Sequence, residues 1–493
     1  MESNESGFPW ALLYLERMIR HLDVEVLLID ERLNKDYIEI INSTKGRLLF
    51  AGVSSIVGYQ IVGGIKFSEN IKMITGAPVI WGGWFPTVFP EMILQDGYAD
   101  YVCIGQGEIP FLSFTEKLIA GEEITAIAGI GYKKNGTVII NQLSKLVDPD
   151  KFPRINLSLI NINQLIELHG NTNNAFRDID YLASTGCPHN CSFCNMTIYI
   201  GSRWFPKKIS EIIDDLKYLR EEASITHISF WDDNFFASKK FVLDFCNELI
   251  LSGLKMTWDA ETHVGFFLKT YTDEDIQLMY KSGCRRIKVG AESGDQEVLD
   301  LVNKRNQVKE NLQIVKVLKK HNIRIRYLTM LCFPNNPDRD FWLTLNMIGK
   351  ALIIDQNLAA IITFYKPIPK TPLYKLCEEK GFVSPSTTKE LITSLSNKST
   401  APWYKRDYHK ELDNYLNFYF LFLNPRYYKT FPLKYKPFIF ILNMFLFPLI
   451  YFRFKFNLMK FPIEAKLFKR VTKSRKEIMF FDTISVNKSR ILK

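Results

Sequence analysis

Cys187, Cys191 and Cys194 stand in a Cys-x3-Cys-x2-Cys arrangement, on a stretch that Gly186 and Pro188 mark as a loop. Thiolate is the soft ligand that zinc and iron–sulfur clusters prefer, and three thiolates this close can grip one face of either. A structural zinc site wants a fourth protein ligand, for which His189 is the local candidate, although it stands between the first two cysteines. A four-iron cluster held by three cysteines instead keeps one iron open, and an open iron can take a substrate or cofactor by its oxygen and nitrogen atoms. The remaining cysteines, Cys103, Cys246, Cys284, Cys332 and Cys377, have no paired spacing and read as small core residues. Eight cysteines in 493 residues are too sparse for a disulfide scaffold.

The cysteines need a platform, and the sequence around them supplies one. Apolar runs at 179–185, 226–233, 255–261, 285–293, 323–331 and 359–367 alternate with amphipathic stretches, which predicts six parallel strands in a complete or partial (β/α)6 TIM-type barrel with its chemistry at the strand carboxyl ends. Asp232, Asp233, Glu261, Glu292 and Ser293 fall at those ends. The competing reading of Asp232 and Asp233 is a helix N-cap with Asn234. An earlier alternating series, at 24–30, 48–55, 78–83 and 101–108, predicts a doubly wound Rossmann-like sheet, an α/β unit covered on both faces. Its strands run into Ser54, Gly82, Gly83, Gly105 and Gly107, at the edge where such sheets bind ligands. Each pair alone reads as an ordinary strand-to-helix turn. Residues 125–145 predict a hairpin about Asn135-Gly136. The expected organisation is a first domain over 1–135, a hairpin and linker over 136–177, a barrel over 178–380 and a separate, mainly helical tail over 381–493.

The stretch TGCPHNCSFC resembles the signature of radical S-adenosylmethionine (SAM) enzymes, including Phe193 just before the third cysteine; HISFWDDNF, KVGAESG, LCFPNNP and KPIPKTPLY fall at strand ends as in that family's barrel. The first domain resembles the cobalamin (B12)-binding domain preceding this barrel in one subclass, through IVGYQI, WGGWFPTVFPE and GQGE. Together the likeness covers about residues 8–380, and the subclass includes methyltransferases and magnesium-protoporphyrin cyclases. It implies a [4Fe–4S] cluster on Cys187, Cys191 and Cys194, with SAM chelated to the open iron. It places Asp232 and Asp233 near the methionine amino group, Glu292 and Ser293 at the ribose hydroxyls and Phe193 beside the adenine. Cobalamin would lie along Ser54, Gly82, Gly83, Gly105 and Gly107. Three features depart from the family pattern: only Met1 to Gly7 precede the PWALLYLERMIR helix, so the sheet is expected to lack its first strand; Asp-x-His-x-x-Gly is absent; and FPNNP replaces a Gly-Glu-Thr type turn.

The implied reaction is reductive cleavage of SAM to a 5′-deoxyadenosyl radical, used for cobalamin-dependent methylation of an unactivated carbon. A cyclisation or rearrangement with cobalamin redox-active or absent is the alternative within that chemistry, and a non-catalytic iron–sulfur or zinc protein is the rival outside it. An electron donor such as flavodoxin or ferredoxin is implied as partner.

The formal charge of +10 does not announce a nucleic-acid protein, because residues 381–493 carry 21 Lys and Arg against 7 Asp and Glu, a net of +14, and everything before them is slightly acidic. Between Ala401 and Lys460, 20 of 60 residues are Phe, Tyr or Trp. The apolar run Phe438 to Phe452 is short of a membrane span; flanked by Lys434, Lys436, Arg453, Lys455 and Lys460, it suits either an element lying in a membrane interface or a packed helical cap with a solvated basic end. A cytoplasmic protein is expected, with no secretory leader, peripheral membrane contact through the tail, and a small-molecule substrate of lipid or apolar natural-product type.

Overall fold

The computed structural model describes residues 7–168, 177–394, 401–415, 418–419, 421–423, 436–458 and 463–464. The first sheet runs in the order β1 (Ala51–Ser54), β2 (Val79–Gly82), β3 (Tyr101–Cys103), β4 (Ile130–Lys134), β5 (Thr137–Ile140), with β1 to β3 parallel and the last two strands antiparallel. Asn135 and Gly136 turn the hairpin with φ of 51° and 81°, the left-handed pair that a two-residue turn between twisted strands requires. Strand alternation sends Val79 and Trp81 to one face, against Ile61 and Ile71 of the helix Tyr59–Thr75. Ile80 and Cys103 go to the other, against Met18 and Ile19 of the helix Trp10–Ile19 and Phe111 and Phe114 of the helix Glu108–Ala120. Helices thus cover both faces.

The stretch 24–30, expected as a strand, forms no regular element and joins no ladder. Its apolar residues serve packing instead of pairing: Val24, Leu28 and Ile29 each lie against a different hydrophobic cluster.

The second sheet holds six parallel strands. In chain order the strands of this half are β6 (Asp178–Tyr181), β7 (Ser184–Gly186), β8 (Trp204–Pro206), β9 (His227–Phe230), β10 (Thr257–His263), β11 (Cys284–Glu292), β12 (Arg324–Leu331) and β13 (Ala359–Phe364). The sheet order is β6-β9-β10-β11-β12-β13, a curled half-barrel, while β7 and β8 pair antiparallel by themselves. Ile179, Tyr181, Ile228, Phe230, Trp258, Ile287, Val289, Ile325 and Tyr327 face the surrounding helices in one large core. The alternate positions are polar and meet one another across strands: His227, Ser229, Asp259, Arg286 and Lys288.

The tail is not detached from this body. Tyr408, Leu412, Tyr415, Ile450 and Phe454 are buried in the same core as the barrel, and the helix Lys436–Lys455 lies along the helix Pro337–Ile354. Among the described residues no helix is long and apolar enough to cross a membrane. Lys434 and Lys460 lie outside the described residues.

Candidate functional site

β7 and β8 form the base of a handle whose bow is residues 187–203. Gly186, the last residue of β7, has φ of 88°, and a Cβ there would sit 2.5 Å from the Arg203 carbonyl oxygen, so the handle closes only on glycine. Within it the Cys194 N–H donates to the Cys191 carbonyl at 3.0 Å, and Ser192 anchors the bow by its N–H to Val302 O at 2.9 Å and its hydroxyl to Leu301 O at 3.1 Å. The Leu373 N–H returns to Ser192 O at 2.9 Å. The charged groups beside the three thiols are Asp233, which follows β9, and Glu292, which ends β11, with its partner Lys304.

Cys191 is buried and Cys187 and Cys194 are half-buried. Burial raises all three thiols, Cys194 to about 12, while backbone N–H groups of His189 and Met196 donate to the sulfurs of Cys187 and Cys194, and the Lys304 ammonium favours the thiolate at Cys187 and Cys191. Dehydrated sulfurs with N–H donors and a nearby cation suit a cluster that must ionise its ligands. No three His, Cys, Asp or Glu side chains among the described residues converge on a single ion. His189 stacks on His263, centroids 4.0 Å apart, and burial lowers it to about 4, so the tetrahedral zinc set is not assembled. A four-iron cluster puts its thiolates on separate irons, farther apart than the ligands of one ion, and the residues present fit that group.

Asp232 is buried and takes the Ala183 N–H at 3.2 Å and the Ser184 hydroxyl, holding the break between β6 and β7; burial raises it to about 7. Asp233 accepts the Gly186 N–H at 3.0 Å and is open to solvent at the root of the cysteine loop. Glu292 ends β11 at a bulge, with φ of 56°, and its carboxylate receives Lys304 Nζ at 2.7 Å. Ser293 is fully buried with its hydroxyl on Asp340 Oδ1 at 2.5 Å. Phe193 packs beside Phe333, 6.2 Å between centroids, in a cluster with Tyr365, Leu373 and Trp403. Glu261 is half-buried on β10, 4.0 Å from Lys288, and burial raises its carboxyl.

At the first sheet, Ser54 and Gly82 are register partners at the ends of β1 and β2. Gly83 has φ of 94°, and a Cβ there would lie 2.8 Å from Ser55 O. Gly105 donates its N–H to the Thr87 hydroxyl at 3.0 Å, and Gly107 precedes the helix Glu108–Ala120. The two carboxyl edges are joined: Lys370, beyond β13, donates to Thr87 O at 3.3 Å. Lys304, Lys288 and Lys370 had no spacing signal in the sequence; each acquires a role only through a partner distant in the chain.

The radical SAM superfamily model matches residues 181–348 and the B12 binding domain model matches residues 2–114. An uncharacterized methyltransferase of Pyrococcus horikoshii is 26% identical over 375 residues, 75% of this chain and 78% of its own length. The anaerobic magnesium-protoporphyrin IX monomethyl ester cyclase of a Synechocystis strain is 21% identical over 314 residues, 63% of this chain and 60% of its own length. Among solved structures, the radical SAM methyltransferase TsrM of Kitasatospora setae, with cobalamin and a [4Fe-4S] cluster bound, superposes with a TM-score of 0.62 at 15% identity, over 76% of this chain and 73% of that one. The cobalamin-dependent SAM radical enzyme OxsB, with aqua-cobalamin and SAM bound, gives 0.58 at 16% identity, over 82% of this chain and 57% of that one. The structural likenesses are of fold. The chain carries a radical SAM domain and, before it, a B12 binding domain.

Proposed function

We propose that this radical SAM chain with its amino-terminal B12 binding domain methylates an unactivated carbon of a small molecule held between its two sheets. The observation that carries the reading is the joining of the two carboxyl edges, thiol handle on one side and glycine-lined strand ends on the other. When bound, a [4Fe–4S] cluster on Cys187, Cys191 and Cys194 supplies the electron for cleaving SAM to a 5′-deoxyadenosyl radical, and cobalamin supplies a transferable methyl group.

The protein's part is positioning. Asp233 presents a carboxylate to the SAM ammonium, and Asp232 fixes the strand break that aims it. Glu292, steadied by Lys304, takes the ribose hydroxyls. Ser293 enters as a positioning residue, since its hydroxyl secures the end of β11 through Asp340. Phe193 and the aromatic cluster behind it cover the adenine and exclude water. Ser54, Gly82, Gly83, Gly105 and Gly107 offer an edge of small residues to the corrin ring. The reductant is an external one-electron donor of flavodoxin or ferredoxin type. The apolar tail favours a lipid or apolar natural-product precursor as substrate. The likeness to the cyclase favours a second reading, in which the same radical closes or rearranges a ring.

Anaerobic reconstitution tests the proposal. About four irons per chain, retained cobalamin and reductive release of 5′-deoxyadenosine are expected, and each of Cys187→Ala, Cys191→Ala and Cys194→Ala should lose the iron and the nucleoside together. A full cluster that releases no 5′-deoxyadenosine would sink the enzyme reading. Labelled methyl from SAM in the product separates methylation from cyclisation.

A further inference from the structure

The helix Lys436–Lys455 is 20 residues, about 30 Å, long. One side is fixed to the barrel. Leu442, Leu446 and Phe447 pack against the core and Ile450 and Phe454 are buried in it. The Phe454 ring lies so close to the helix Pro337–Ile354 that a Cβ on Gly349 would fall 1.9 Å from it. Asn346 Nδ2 donates to Phe454 O at 3.2 Å and Lys350 Nζ to Asn457 Oδ1 at 2.9 Å.

The other side should then be polar, and it is not. Ile441, Met444, Phe445, Leu449, Phe452 and Phe456 form a stripe at helical spacing and are all exposed, Phe445 by 75% and Met444 by 64%. A continuous apolar stripe on water marks an interaction surface. Lys455 stands exposed at its end with its ammonium over the Phe456 ring, 5.7 Å from the centroid.

We propose that this outer stripe docks the enzyme on an anionic phospholipid bilayer, the helix lying flat in the headgroup layer. Charge decides the occupant. The net of +14 over residues 381–493 is complementary to an anionic surface, each basic residue near such a surface strengthening attachment. A second copy of this chain would bring the same net charge over its own residues 381–493, which disfavours pairing the two. Because the inner stripe is held by the barrel, the helix lies on the bilayer and does not enter as a span.

The full chain is floated with phosphatidylcholine vesicles with and without phosphatidylglycerol, beside the variant Met444→Glu/Phe445→Glu. Both residues are exposed, so the variant keeps its thermal midpoint and its 5′-deoxyadenosine release. The expected result is flotation of the wild type only with phosphatidylglycerol, weakening with salt, and at least a tenfold loss of binding in the variant. A wild type that stays at the bottom with both vesicles overturns the proposal. So does a variant that floats undiminished, or a wild-type dimer in solution that the substitutions dissociate.

Discussion

At the scale of single residues, the barrel interior is governed by Asp259. It is fully buried, with His227 Nε2 at 3.0 Å, the Ser229 hydroxyl at 3.0 Å, Lys288 Nζ at 3.2 Å and the Arg286 guanidinium on the same carboxylate. Burial pushes its pKa up, but Lys288, His227 and Arg286 together outweigh burial and hold it well below the usual carboxylate range. Asp259→Ala removes the carboxylate shared by the buried Lys288 and the half-buried Arg286, at a cost of about 3–5 kcal/mol; the apparent thermal midpoint should fall well below that of the wild type, and an unchanged midpoint would refute the account. The pH dependence follows in sign. A carboxyl depressed in the fold adds stability above its unfolded value, near 4, and loses it as pH falls through the folded value. Acid unfolding of the wild type should therefore include a step below about pH 4 that Asp259→Asn lacks.

At the scale of elements, the handle on β7 and β8 is the critical piece. Gly186→Ala puts a side chain against the Arg203 carbonyl in a left-handed conformation, a strain of about 1–3 kcal/mol or more. Iron bound after reconstitution should drop severalfold while the far-ultraviolet circular dichroism stays native; full iron loading would show that the handle tolerates distortion. This element also marks the limit of what could be read in the sequence. The thiol triad and the six barrel strands were legible because ligand type and apolar periodicity are local. Trp204–Pro206 is three residues long, one of them a proline, and becomes a strand only because β7 is there to pair with it. The run 24–30 misleads in the opposite direction: its apolar residues suit a strand, but three separate clusters claim them. Asp232 and Ser293 were legible as polar residues at strand ends, yet whether they face a ligand or brace the backbone depends on Ser184 and Asp340, which sit 47 or more residues away.

At the scale of the molecule, the two halves share a helix. Met18 and Ile19 of Trp10–Ile19 pack on the first sheet, while Leu13 is buried in the barrel core, Trp10 meets Tyr181 edge-on at 5.4 Å, and Arg17 pairs with Glu108 at 3.2 Å. Leu13→Ala, at about 2–5 kcal/mol, should lower one shared thermal transition and speed cleavage of residues 136–177 by added protease. Two separate transitions in the wild type would count against this coupling.

That shared helix also has a history within each molecule's birth. The ribosome delivers it ahead of every strand, while the core that takes in Leu13 draws on Leu157 to Ile166 and then on Ile179 and later residues. At ~5–20 residues per second, that leaves roughly ten to thirty seconds during which a greasy face waits in the open. Nascent chains should therefore hold a chaperone at the helix Trp10–Ile19 until β6 emerges.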